Sequence, residues 1–235
     1  MNTKGHSLPV FQTQKKIKPS FWFGATLLIT GLLFSFPAFA QFAGGDGTSG
    51  NPYQIATAEQ LNDIRNNLSA HYILIANIDL TEDTRVGGAF WNDGQGWQPI
   101  GNRTTTFRGS INGNGYTITG MYINRPAQND IGLFGGTFGS ADINQTLLLN
   151  VEISGSDISG GLVGWNNGTI RNSYTTGTVN GRMNTGGLVG INRGSGSVSN
   201  SHSTAAVHGS EAVGGLVGTN DTGRPITTSY ATGDV

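Results

Sequence analysis

The pentapeptide Gly-Gly-Leu-Val-Gly occurs three times in this chain, starting at Gly160, Gly186 and Gly214. The spacings are 26 and 28 residues, and a looser copy, Gly132-Leu133-Phe134-Gly135, precedes the first. Two residues after each full copy stands an asparagine: Asn166, Asn192 and Asn220. A β-branched residue follows (Ile170, Val198, Ile226), then a serine (Ser173, Ser201, Ser229), then a valine (Val179, Val207, Val235). A unit this short and glycine-rich cannot bury a core alone, but identical units stacked on one another can. The repeat therefore predicts an all-β solenoid. A β-propeller blade needs about 40 residues, so a parallel β-helix fits the period better. The crossover rule makes it right-handed. Leu162, Leu188 and Leu216 are expected to form one internal column, and the three valines another. The motif glycines (Gly161 and Gly164, Gly187 and Gly190, Gly215 and Gly218) are expected to supply tight corners and close backbone approach. The asparagines are expected to form an amide ladder.

Upstream of the repeats the patterning changes twice. Residues 41–50 are rich in Gly and Ser and read as a linker. Tyr53 and Ile55 look extended. Thr57 with Gln60 makes a capping box, and Leu61, Ile64 and Leu68 recur at helical spacing. One short amphipathic helix beside a β-rich body reads as a cap on the open end of a core. From Tyr72 the period is two: Tyr72, Leu74, Ala76, Ile78 and Leu80 share one face of a predicted strand, with Ile73 and Ile75 opposite. Phe107, Gly109 and Ile111 alternate likewise, until Asn112-Gly113-Asn114-Gly115 marks a turn.

The first forty residues read as an address. A lysine-bearing polar stretch precedes the apolar run Phe21–Phe36, and Ala38-Phe39-Ala40 supplies a signal-peptidase site. The apolar run is short of the roughly 20 residues that span a bilayer, which favours a cleaved signal over an anchor. The division is then a signal peptide (1–40), a linker-like lead-in with a first strand (41–56), a capping helix with N-terminal coils (57–130) and repeat coils (131–235). The chain stops in mid-repeat, so an exposed coil edge covered by a further coil or a partner is expected. After residue 40, nine arginines stand against 14 acidic residues, a net charge near −5. That balance argues against nucleic acid, which needs a basic patch.

The units GGLVGWNNGTIRNSYTTGTV, GGLVGINRGSGSVSNSHSTAAV and GGLVGTNDTGRPITTSYATGDV resemble the GLUG motif family. The stretches NPYQIATAEQLNDI, YILIANIDL, GWQPIG and INGNGYTITGMYI resemble the coils that precede GLUG arrays. The resemblance implies a β-helix of a bacterial surface protein, such as a filamentous-haemagglutinin-like adhesin or an IgA-specific metallopeptidase. It says little about function, because folds host sites rather than imply them. The second repeat departs from the others with His202 in place of Tyr174 and Tyr230, and the third with Thr228 in place of Asn.

No catalytic constellation is expected. The sequence has no cysteine, no H-E-x-x-H and no G-x-S-x-G. Asp79, Glu82 and Asp83, with Asp93 beyond, form an acidic cluster that would suit calcium or a carboxylate pair. Without metal-loop spacing it reads as a solvated loop. His202 and His208 could share a strand face but lack a third ligand. Trp91 and Trp97 could form a sugar-stacking platform, although tryptophan is more often a packing residue, and Trp165 is placed at a coil corner. Neither a metal nor a cofactor is expected.

One surface stands out. With the repeat serines inward, Tyr174, His202 and Tyr230 stack outward, as do Thr176, Thr204 and Thr232. This aromatic-and-hydroxyl flank is the candidate binding face for a surface glycan or protein. The expected function is a secreted or cell-surface binding module of adhesin type. A non-binding stalk of a larger exported protein comes second, and a polysaccharide-active enzyme third.

Overall fold

The computed structural model describes residues 41–221 and 223–235; the predicted signal peptide lies outside the described residues. One coil shows how the chain winds. Ser159–Gly160 belongs to a three-stranded sheet (sheet I), Val163–Asn166 to a four-stranded sheet (II), Thr169–Arg171 to a seven-stranded sheet (III) and Tyr174–Asn180 to an eight-stranded sheet (IV). Met183–Gly186 then returns to sheet I one coil on. The pairings within all four sheets are parallel. The chain is a parallel β-helix, as the repeat period requires.

Register makes equivalent residues into columns. Val163 pairs with Val189 and Val189 with Val217; Ile143, Ile170, Val198 and Ile226 follow one another in sheet III. Leu162, Leu188, Val179 and Val207 are fully buried, while Leu216 is partly buried and Val235 exposed. The asparagine ladder runs through the interior: Asn166 Nδ2 donates to Asn192 Oδ1 (2.9 Å) and Asn192 Nδ2 to Asn220 Oδ1 (2.7 Å). Thr137 Oγ1 extends it one coil earlier by donating to Asn166 Oδ1 (2.7 Å).

The motif glycines have a different reason from the corners. None of them sits at positive φ. A Cβ on Gly161 would lie 2.5 Å from the carbonyl oxygen of Gly187, and one on Gly187 would lie 2.3 Å from that of Gly215. Each such glycine thus lets the next coil approach. The left-handed corner between sheets III and IV is held by Asn114, Gln145, Asn172, Asn200 and Thr228, all at φ between 46 and 52°. Asparagine tolerates that region; a β-branched residue does not. Thr228→Asn should therefore raise stability by about 1 kcal/mol, read as a melting temperature about 2–4 °C higher. An unchanged or lower melting temperature would contradict this account of the corner.

Three upstream expectations need correction. The predicted strand Tyr72–Leu80 is two strands, His71–Leu74 in sheet III and Ile78–Asp79 in sheet IV, bent between them. Tyr72, Leu74, Ile78 and Leu80 still all point inward, because inward–outward parity survives the bend. The linker-like residues 41–50 are folded: Phe42 is buried and stacks on Tyr53 at 4.4 Å, and Gly44 bridges Gln54 in antiparallel fashion. The helix Ala58–Asp63 starts at Thr57, whose Oγ1 accepts from Gln60 N, and Gln60 Oε1 accepts from Ala56 N rather than from the cap residue itself. Its buried residues Ala58 and Leu61, with Ile64 just beyond, join the core at the first coil.

Ion pairs stitch coil to coil. Arg103 pairs with Asp130 (2.9 Å), Arg171 with Asp142 (2.8 Å), Arg193 with Asp221 (3.3 Å) and Arg182 with Asp157. Each joins residues 25–29 positions apart, one coil on.

Candidate functional site

The aromatic flank is built from sheet IV. In Tyr174–Asn180, Thr175 and Val179 point inward, so Tyr174 and Thr176 point outward. The serine before each strand fixes this parity. Ser173 Oγ donates to Arg171 O (2.9 Å), and Ser201 Oγ donates to Ser199 O (2.7 Å). Ser201 Oγ accepts from Ser173 N and Ser229 Oγ from Ser201 N, both at 3.1 Å, so the serines form an inner ladder.

Parallel register then places Tyr174 beside His202 and His202 beside Tyr230. Their rings stack, with centroids 4.1 Å apart at 24° and 4.9 Å apart at 11°. The hydroxyl row is less uniform than its spacing suggests. Thr176 Oγ1 accepts from Asn150 N (2.8 Å), beside the irregularity between Thr175 and Gly177. Thr204 Oγ1 lies 3.0 Å from Tyr174 Oη, and both Thr204 and Thr232 are exposed. The structure therefore brings Tyr174, His202, Tyr230 and Thr204 together and employs Thr176 in the turn. Because facing rings cover one another, the stack offers solvent mainly its edges, hydroxyls and imidazole nitrogens, while the terminal Tyr230 is exposed beyond its one ring partner.

The other candidates separate. Trp97 is fully buried against Phe90 (5.3 Å, edge-on), so it cannot be half of a sugar platform. Trp165 lies within the strand Val163–Asn166 rather than at a corner, with the Arg193 guanidinium 6.0 Å from its ring centre. Asp79 is exposed, and its hydrogen bonds from Thr81 hold its carboxyl below the usual range. Burial, with Glu59 and Asp79 nearby, pushes Asp83 up instead. Among the described residues no three His, Asp or Glu side chains converge as a metal would need. His208 stands exposed beside Asn180, away from the ring stack.

The upstream coils hold a feature that the repeat motif does not announce. On the outer face of sheet III, His71, Ser110 and Asp142 follow one another in register, and Asn112, Asn144 and Arg171 form the parallel row. They line a recess of about 200 Å³. The tripeptides Ser110-Ile111-Asn112, Asp142-Ile143-Asn144 and Thr169-Ile170-Arg171, each with a buried central isoleucine, were the available signal.

A solenoid of parallel coils with stacked asparagines and glycine-permitted contacts defines the class. Residues 181–207 match the GLUG motif, and this stretch is one complete circuit through sheets I, II, III and IV. The chain is a parallel β-helix that carries a GLUG motif at residues 181–207. It is 39% identical over 150 residues to halomucin of Haloquadratum walsbyi, covering 62% of this chain and 2% of halomucin. It is 44% identical over 137 residues to a protein of Evansella cellulosilytica provisionally described as a Gly-rich membrane protein, covering 56% of this chain and 15% of that one. The chain thus spans a small part of the curated relatives it matches. A crystal structure from Bacteroides ovatus, of a protein provisionally described as an immunoglobulin A1 protease, superposes with a TM-score of 0.60 at 22% identity. That match covers 83% of this chain and 71% of the other, and it shows the shared fold.

Proposed function

We propose that this chain is an exported, surface-displayed module that binds a glycan or protein surface along its aromatic flank, by contact and without turnover. The observation that carries the reading is the outward stack of Tyr174, His202 and Tyr230. A fixed column of rings loses little side-chain freedom on binding, and its edges present hydrogen-bonding groups at coil spacing. The leader at residues 1–40 supports export, and the names of the halomucin and Gly-rich membrane protein relatives support a surface setting. The absence of thiol, zincin and nucleophile-elbow motifs from the sequence supports a non-enzymatic role.

Binding of the purified protein to an array of glycans and matrix proteins tests this. H202A and Y230A should each weaken the strongest array partner at least about ten-fold, the loss expected of an interface anchor. Circular dichroism should show the β-helix intact in both. Equal binding by the variants would favour the second reading, a non-binding stalk. That reading has its own support, since Tyr174 Oη and Thr176 Oγ1 are already engaged by Thr204 and Asn150.

A further inference from the structure

The polar recess on sheet III lies on a different sheet from the aromatic flank and belongs to none of the roles above. It is walled on one side by Ser49 and Pro52 of the folded lead-in segment. Its floor has an uncommon donor and acceptor balance. Arg171 grips Asp142 with two parallel bonds, Nε to Oδ1 (3.0 Å) and Nη2 to Oδ2 (2.8 Å), so the pair is charged in its parts and neutral in sum. Asn112 Oδ1 is taken by Asn114 N (2.9 Å) and Asn144 Oδ1 by Asn172 Nδ2 (2.8 Å). The Nδ2 groups of Asn112 and Asn144 make no hydrogen bond among the described residues. Ser110 Oγ meets His71 Nδ1 at 2.7 Å, which holds the imidazole at the rim.

We infer that this recess binds a neutral saccharide through its hydroxyl groups. A sugar hydroxyl donates one hydrogen bond and accepts others, so it needs acceptors and donors side by side. Here the Asp142 carboxylate and the Ser110 hydroxyl provide acceptors, and two carboxamide Nδ2 groups and Arg171 provide donors. An anionic ligand finds no uncompensated charge, because the Arg171 guanidinium is already matched by Asp142. An apolar ligand would strand these polar groups. A cation would have to displace Arg171 from both carboxylate oxygens.

The test is histidine-ring NMR on the purified full chain, with H71N assigning the His71 signal. The probes are cellohexaose, xylohexaose and mannohexaose, each up to about 10 mM so that even millimolar sites fill. The expected result is that at least one probe shifts the His71 ring signals and leaves His202 and His208 in place. S110A and N144A should weaken that response about ten-fold, and Y230A should leave it unchanged. Movement of His202 without His71 would assign the sugar to the aromatic flank and overturn the inference while sparing the function proposed above. No shift with any of the three would overturn it. So would a response to a galacturonate hexamer alone, because that would make the ligand an anion.

Discussion

N192A should cost about 2 kcal/mol, a large share of the roughly 5–15 kcal/mol that holds a domain together. The side chain is fully buried, and it both accepts from Asn166 and donates to Asn220. Removing it leaves one N–H of the buried Asn166 Nδ2 unpaired, its other bond to Gly168 O remaining, and empties the interior beside it, and unmade buried bonds cost more than made ones gain. The drop in urea midpoint at unchanged slope is the measurement. N192D sharpens the test. The introduced carboxyl would face Asn220 Oδ1, an acceptor, so only its protonated form can restore that bond. Burial and this acceptor raise its folded pKa above the unfolded value of about 3.9. Its stability should therefore approach wild type below about pH 4 and be lost as pH rises through the folded pKa. A flat pH response relative to wild type would mean that the ladder bond contributes little.

G187A should be still more damaging, abolishing the cooperative transition or lowering it by about 4 kcal/mol, the range of severe overpacking. The added methyl would sit 2.2 Å from Ser203 Oγ and 2.3 Å from Gly215 O. Ser203 is fully buried, and Gly215 is held between Gly214, paired with Gly186, and Leu216, whose carbonyl accepts from Leu188 N and Val189 N, so both resist displacement. G50A is the matched control: nothing lies within 4 Å of the new carbon, and its φ is outside the left-handed region. Its stability should stay within about 0.5 kcal/mol of wild type. Equal midpoints for G187A and G50A would refute close approach as the reason for the motif glycines.

Much of this architecture was legible because a solenoid writes each column as a repeat. Ser173 and Tyr174 fell on opposite faces by simple alternation, and Asn166, Asn192 and Asn220 revealed their ladder by spacing. What alternation cannot reveal is a bend that preserves parity, which is why Tyr72–Leu80 read as one strand. Of the two roles expected of the motif glycines, tight corners and close backbone approach, the distances show the second. Trp97 is buried under Phe90 through long-range packing that local sequence does not encode. The recess on sheet III was missed because its residues, Arg171 apart, come from coils upstream of the full pentapeptide repeats. Its hydrogen-bonding character depends on which amide atoms the neighbouring Asn114 and Asn172 occupy.

The ion pairs between adjacent coils carry a consequence for how such a chain changes length. Arg171 reaches Asp142, Arg182 reaches Asp157 and Arg193 reaches Asp221, always one circuit away. Excising residues 187–214 would join Gly186 to Gly215 and regenerate the pentapeptide intact. The asparagine and serine ladders would find equivalent partners, although Asp221 would lose Arg193, and the molecule would shorten by one strand spacing, about 4.8 Å. In-frame duplication does the reverse. The reach of such a solenoid therefore changes in whole steps, with its inner ladders kept in register.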